Sequence, residues 1–172
     1  MIYAYYERIN ERSESDANQS ARQKYKSTAA WVKDLQPEDV QYLESLPYTI
    51  SVPLYNVIVV HAGLVPGVPV NSQRPVDMTT MKDVRKRGDK YFGADNADGP
   101  WAHAWNGPEH VYFGHNARRG LQADWLKHPF ATGLDTGCVK GHRLTGAVVK
   151  SANQKPVLIS VPAKQVYSPQ TK

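Results

Sequence analysis

The chain holds one cysteine, Cys138, so no internal disulfide can form. A reducing, cytoplasmic setting is the expectation that follows. No apolar run approaches the ~18 residues of a membrane-spanning helix, so no membrane is expected among the partners. The opening residues, MIYAYYERINERSES, lack a basic start followed by an apolar core. They carry Glu7, Glu11 and Glu14 instead, which argues against a signal or transit peptide. Internal repeats and low-complexity tracts are missing as well. Acidic residues stop at Asp135, while Lys140, Arg143, Lys150, Lys155, Lys164 and Lys172 continue to the end.

What is present fits one domain with a sizeable core: 172 residues, 41% hydrophobic and 22% charged. Charge is uneven, with a net of −2 over residues 1–44 and +7 over 45–172. Two readings of the basic part stay open. One is a solvated surface. The other is a field that attracts a polyanion such as a phosphate ester or RNA.

Spacings of three and four among Ile2, Tyr5, Tyr6 and Ile9 predict a helix over Met1–Arg12. A second is predicted over Ala21–Leu35. Pro37, followed by Glu38 and Asp39, opens a third that ends by Pro47. Strands are expected at Tyr48–Val52 and Asn56–His61, then an irregular loop, AGLVPGVPVNSQRP. Met78–Lys86 reads as a short helix. Arg87–Pro108 reads as a long loop, ordered by Trp101 and Trp105. Further strands are expected at Val111–Phe113, Ala131–Leu134, Leu144–Lys150 and Val157–Val161, the last two joined by a turn at Asn153. The tail after Pro162 is expected to fray in part. Helices first and strands after make the class α+β.

The run VIVV (57–60) ends in His61, and VYF (111–113) ends in Gly114-His115. A histidine at a strand end suits a metal ligand, and it equally suits a hydrogen-bonded core residue. Two such histidines do not complete a metal site. His103, His110, His128 and His142 read as surface residues. Cys138 and Arg143 have four residues between them, one short of the Cys-x5-Arg phosphate loop, so Cys138 reads as structural. Asp95–Gly99 lacks the alternation and terminal Glu of an EF-hand and reads as a turn.

Four strings carry a resemblance: STAAWVKDLQPEDVQYLESLP (27–47), VVHAGLVPG (59–67), WAHAWNGPEHVYFGHNARRGLQ (101–122) and ATGLDTGCVKGHRLTGAVV (131–149). Together they resemble the calcineurin-like metallophosphoesterases. The branch they look most like is the diadenosine-tetraphosphatase-like and Shewanella-like phosphatases of the phosphoprotein-phosphatase superfamily. The resemblance implies a four-layer α/β/β/α sandwich holding two divalent metal ions (Mn, Fe, Zn or Mg), with a metal-bound water attacking phosphorus. It places His61 and His115 as metal ligands, with Ala62 and Gly63 leaving room for ion and substrate. Lys82, Arg118 and Asp135 fall near the phosphate or the site wall.

The family's earlier motifs, Gly-Asp-x-His-Gly, Gly-Asp-x-x-Asp-Arg/Lys-Gly and Gly-Asn-His-Glu/Asp, do not occur in the sequence. Residues 1–162 are therefore expected to be the C-terminal part of one such domain, with 163–172 a tail. No catalytic residue is expected in the chain. The function implied is a metallophosphatase, a hydrolase of phosphate monoesters or phosphoanhydrides, of which this chain is an inactive fragment. Dinucleoside polyphosphate, polyphosphate, capped RNA or phosphoprotein are the expected substrates. The alternative is a non-catalytic half-domain interaction protein. In either case the missing half, or a protein partner, should cover an open sheet.

Overall fold

The computed structural model describes Val32, residues 34–152 and residues 154–168. The helices predicted over Met1–Arg12 and Ala21–Leu35, and the turn residue Asn153, lie essentially outside these. The chain divides into two compact units, 1–47 and 48–172.

In the first unit, helix α1 spans Pro37–Ser45. Pro37 fits its first turn because no backbone N–H is needed there. The Asp39 carboxylate accepts the Gln36 backbone N–H at 3.0 Å, filling one of the orphan donors at a helix start.

In the second unit a four-stranded sheet runs in the order β1 (Thr49–Val52), β2 (Val57–Val60), β6 (His110–Phe113), β7 (Ala131–Gly133). The edge strand β1 is antiparallel to β2, while β2, β6 and β7 are mutually parallel. The branched apolar run VIVV suits such a strand, because parallel strands are covered on both faces. Between β2 and β6 lie helix α2 (Pro75–Thr80), strands β3 (Asp83–Arg87), β4 (Lys90–Ala94) and β5 (Gly99–Pro100), and the helical turn α3 (Trp101–Ala104). Strands β4, β3 and β5 form their own antiparallel sheet. A hairpin of β8 (Arg143–Val148) and β9 (Val157–Pro162) follows. The described residues thus form an α+β fold.

Trp101 anchors the core. It is 1% exposed and packs edge-on against Phe113 at 4.7 Å and Trp105 at 6.3 Å. Its indole N–H donates to the Ala62 carbonyl at 3.0 Å. Around it lie Ile58, Val60, Leu64, Met78, Met81, Val84 and Val111.

Several expectations need correction. Residues 87–108 are not a long loop. They hold β4, β5 and α3, built from strands too short and Gly-rich for alternation to show. The helix expected at Met78–Lys86 comes earlier, and Asp83–Arg87 is strand β3. The irregular loop after His61 is a packed part of the core. Leu64 and Val65 are buried. The Gln73 amide accepts from Val65 N–H and donates to the Val65 and Val68 carbonyls. Residues 163–168 do not fray. Ala163 N–H donates to His142, and the N–H groups of Tyr167 and Ser168 donate to Val139. Asp95–Gly99 is a turn, as expected: Asp95 pairs with Lys82, and Asp98 accepts the Lys86 N–H at 2.8 Å.

Candidate functional site

Strand register brings the predicted residues together. Val59 pairs with Tyr112, and Phe113 pairs with Gly133. Carrying the pairing one residue past β2 and β6 sets His61 beside Gly114, and carrying it two residues past β6 and β7 sets His115 beside Asp135. The first contact is real: Gly114 N–H donates to the His61 carbonyl at 2.9 Å. His61, His115 and Asp135 thus stand at the carboxyl ends of three adjacent parallel strands, the edge where open α/β sheets bind ligands.

His61 Nε2 lies 3.2 Å from His115 Nδ1. The other nitrogen of His115, Nε2, lies 3.0 Å from the Thr80 carbonyl at the end of α2. A carbonyl only accepts, so Nε2 carries the hydrogen and the Nδ1 lone pair of the neutral ring faces His61. Two occupants suit the gap, a proton on His61 Nε2 or a cation. Two imidazole nitrogens at ~2.0–2.1 Å from one tetrahedral ion sit about 3.3 Å apart, close to the separation observed. A backbone carbonyl holding the far N–H is also the usual support of a metal-binding imidazole.

Burial lowers the pKa of His61, with the Asp135 charge opposing. Burial also lowers that of His115, joined by the charges of His61 and Lys82, with Thr80 and Asp95 opposing. Both shifts favour the neutral, ligand-competent ring. His115 adopts a left-handed backbone at φ 65°, a conformation uncommon outside glycine. That turn swings its ring back over the strand end.

Among the described residues, no group of three or more His, Cys, Asp or Glu side chains is placed to hold a metal. His61 and His115 supply two donors. Asp135 instead accepts the Gly137 N–H at 3.1 Å, closing the turn after β7.

Lys82 donates to both oxygens of Asp95, at 2.8 and 3.0 Å. Arg118 is exposed and makes no hydrogen bond or ion pair among the described residues. Its neighbour Arg119, which sequence reasoning passed over, clamps the turn after His115 to β3. It bonds Asp83 at 2.7 Å and the Lys82 carbonyl at 3.1 Å. The adjacent Arg-Arg pair held no signal that separates the two.

Three readings change. Gly63 is small because Trp101 lies against it: an added Cβ would come within 2.4 Å of the indole nitrogen. Packing, not space for an ion, sets that residue. His110 and His128 are buried, not on the surface. His110 stacks on Trp125 with ring centres 4.5 Å apart, and His128 on His103 at 5.1 Å. Their burial comes from residues 15–25 positions away in the chain, which local polarity does not report.

No protein-family model matches the chain, and no curated protein matches it. Among solved structures it is similar to the crystal structure of a "putative diadenosine tetraphosphatase". The two are 40% identical with a TM-score of 0.67, over 81% of this chain and 61% of that one. The chain thus spans 61% of the length of the protein it resembles. Together with the α+β arrangement, this likeness makes the fold metallophosphoesterase-like.

Proposed function

We propose that this chain supplies part of a metal-dependent phosphoesterase site, with His61 Nε2 and His115 Nδ1 as two ligands of one divalent cation. The observation that carries the reading is the 3.2 Å gap between these nitrogens, with the far nitrogen of His115 tied to the Thr80 carbonyl. A cation held there supplies positive charge and activates water for attack on phosphorus. The chain's own part is to hold that cation and to bind the phosphate. His61 and His115 stay neutral through burial and present lone pairs. Asp135 lends negative charge beside His61. Arg118 is free to take a phosphate oxygen, and Lys82 reaches one only by leaving Asp95.

Two imidazole donors are fewer than a catalytic metal needs, so His61 and His115 alone should not support turnover. The name of the similar structure favours a dinucleoside polyphosphate as the substrate. Polyphosphate, capped RNA and phosphoprotein come after it.

Manganese titration tests the reading. Mn²⁺ should broaden the imidazole NMR signals of His61 and His115 before those of His103 or His142. His61→Ala with His115→Ala should remove the effect. Equal broadening of every exposed histidine would overturn the ligand assignment.

One observation favours the non-catalytic alternative. In the hairpin register Leu144 pairs with Val161, Gly146 with Ile159 and Val148 with Val157. These residues share one face of the hairpin, and the five aliphatic ones are exposed. Such a face suits association.

A further inference from the structure

Strands β3 and β4 form a hairpin closed by the turn Gly88-Asp89. Its register decides which side chains share a face. Arg85 stands directly opposite Phe92, and Arg87 opposite Lys90. Residues two apart on a strand point the same way, so Arg85, Arg87, Lys90 and Phe92 lie on one face. The other face carries Val84, Lys86, Tyr91 and Gly93. It turns inward, because Val84 is buried and Tyr91 packs on the core. The face with the two arginines is therefore turned to solvent. All four of its residues are exposed, Phe92 by 48%.

The inner face is settled within itself, with Lys86 Nζ 5.8 Å from the Tyr91 ring centre. The outer face is not. Arg85, Arg87 and Lys90 make no hydrogen bond or ion pair among the described residues. Nearby acids are engaged elsewhere: Asp83 with Arg119, Asp95 with Lys82, and Asp98 with the Lys86 N–H. Asp89, in the turn, is the acid left exposed on the hairpin. Like charges directly across a ladder repel, so the Arg87–Lys90 rung costs stability that a bound anion recovers. Among the described residues no cation covers the Phe92 ring.

Cations alone would have a simple purpose here. β4 is the free edge of its sheet, and charge discourages edge-to-edge pairing. An exposed phenylalanine among them works against that purpose. Cations beside an open aromatic ring suit a nucleic acid strand instead, with charge for its phosphates and a flat surface for a base. Arg85 and Arg87 are about 6.6 Å apart along the strand, near the phosphate spacing of an extended chain. A bilayer fits less well. Phe92 is the one large apolar side chain on the face, and insertion takes a broad apolar surface. We propose that the outer face of the β3–β4 hairpin binds single-stranded nucleic acid, with Arg85, Arg87 and Lys90 on phosphates and a base stacked on Phe92. The contact needs no metal and so stands apart from the histidine pair.

A labelled oligoadenylate of about 12 nucleotides, titrated into the full 172-residue chain and read by fluorescence anisotropy, tests this. EDTA in the buffer keeps metal out, so failure here is told apart from failure of the metal-ligand assignment. Saturable binding is expected, with a dissociation constant on the order of 1–100 μM at about 0.1 M salt. Three neutralised phosphates give a slope of log K against log salt of about −2. Replacing Arg85, Arg87 and Lys90 together by alanine should remove most of that slope. Phe92→Leu keeps an apolar side chain without a ring. It should weaken binding by about 5–30-fold and leave the slope unchanged. Unchanged affinity in Phe92→Leu, or a slope that survives the triple replacement, would overturn the proposal. So would binding to phosphatidylserine vesicles with none to the oligonucleotide, which would make this face a membrane contact.

Discussion

Acid should strike this fold first at His110. Burial presses its pKa from 6.5 to about 4, with the Pro129 carbonyl resisting and His128 assisting. The ring is 9% exposed, stacked on Trp125 and bonded through both nitrogens as the neutral tautomer. Protonation puts a hydrogen on Nε2, where the Thr132 hydroxyl now donates. Thr132 is fully buried and has no water to turn to. The sign follows. The unfolded chain takes up the proton near pH 6.5 and the folded chain resists until about 4. Stability from the neutral ring is therefore complete above about 6.5 and is lost as pH falls toward 4. The displacement is worth about 3 kcal/mol at most. Solvent reaches part of the ring, and screening leaves about 1–2 kcal/mol. Urea unfolding of the wild type and His110→Phe from pH 7.5 to 4.5 measures it. The stability advantage of the wild type should shrink by about 1–2 kcal/mol across that window. A difference that stays flat, or an NMR titration of His110 near 6.5, would refute the argument.

Gly63→Ala should destabilise the fold by about 2–3 kcal/mol, lowering Tm by roughly 5–10 °C, because the new methyl meets Trp101 and Met81; a melt within 2 °C of wild type would contradict this. Arg119→Ala should cost about 2–3 kcal/mol by leaving the buried Asp83 carboxylate without its guanidinium, whereas Lys82→Ala, which breaks a half-exposed pair, should cost under about 1 kcal/mol; denaturant melts should rank them in that order. Ile159→Lys should reduce self-association of the chain by placing a charge on the exposed hairpin face, seen as a shift to monomer in light scattering, and unchanged association would point to another surface. Trp101→Ala should unfold the second unit, a loss of about 3–5 kcal/mol, detected as collapse of near-ultraviolet circular dichroism.

The two strand-end histidines were more legible than the structure between them. VIVV-His and VYF-Gly-His announced buried strands ending in imidazoles, and the parallel register sets them side by side. Asp135 entered only through the family resemblance, within the string ATGLDTGC. The segment between the two histidines was harder. Gly99-Pro100 forms a strand only because β3 is there to pair with it, and two residues carry no period. His110 and His128 sit in polar stretches, yet Trp125, Pro129 and Phe130 close over the first. Gly63 was misread because smallness has two causes, room for a ligand and close approach of a neighbour. The sequence shows the small residue, and only packing names Trp101 as the cause. Residues 163–168 were expected to fray because their partners, His142 and Val139, lie about twenty or more positions upstream.

The bond from Gly114 N–H to the His61 carbonyl has a meaning for how this chain tolerates change. The two imidazoles are 54 residues apart in sequence, yet their spacing is gauged by one rung of a parallel ladder. Of the 53 residues between them, Thr80 takes part as well, its carbonyl holding the His115 ring, while the others lie off that gauge. They can grow or shrink at Gly88-Asp89 or Asp95–Gly99 and leave the gap alone. Losing one residue inside β6 is different. The strand would slide by one place, its faces would invert, and Asn116 would arrive where His115 now stands.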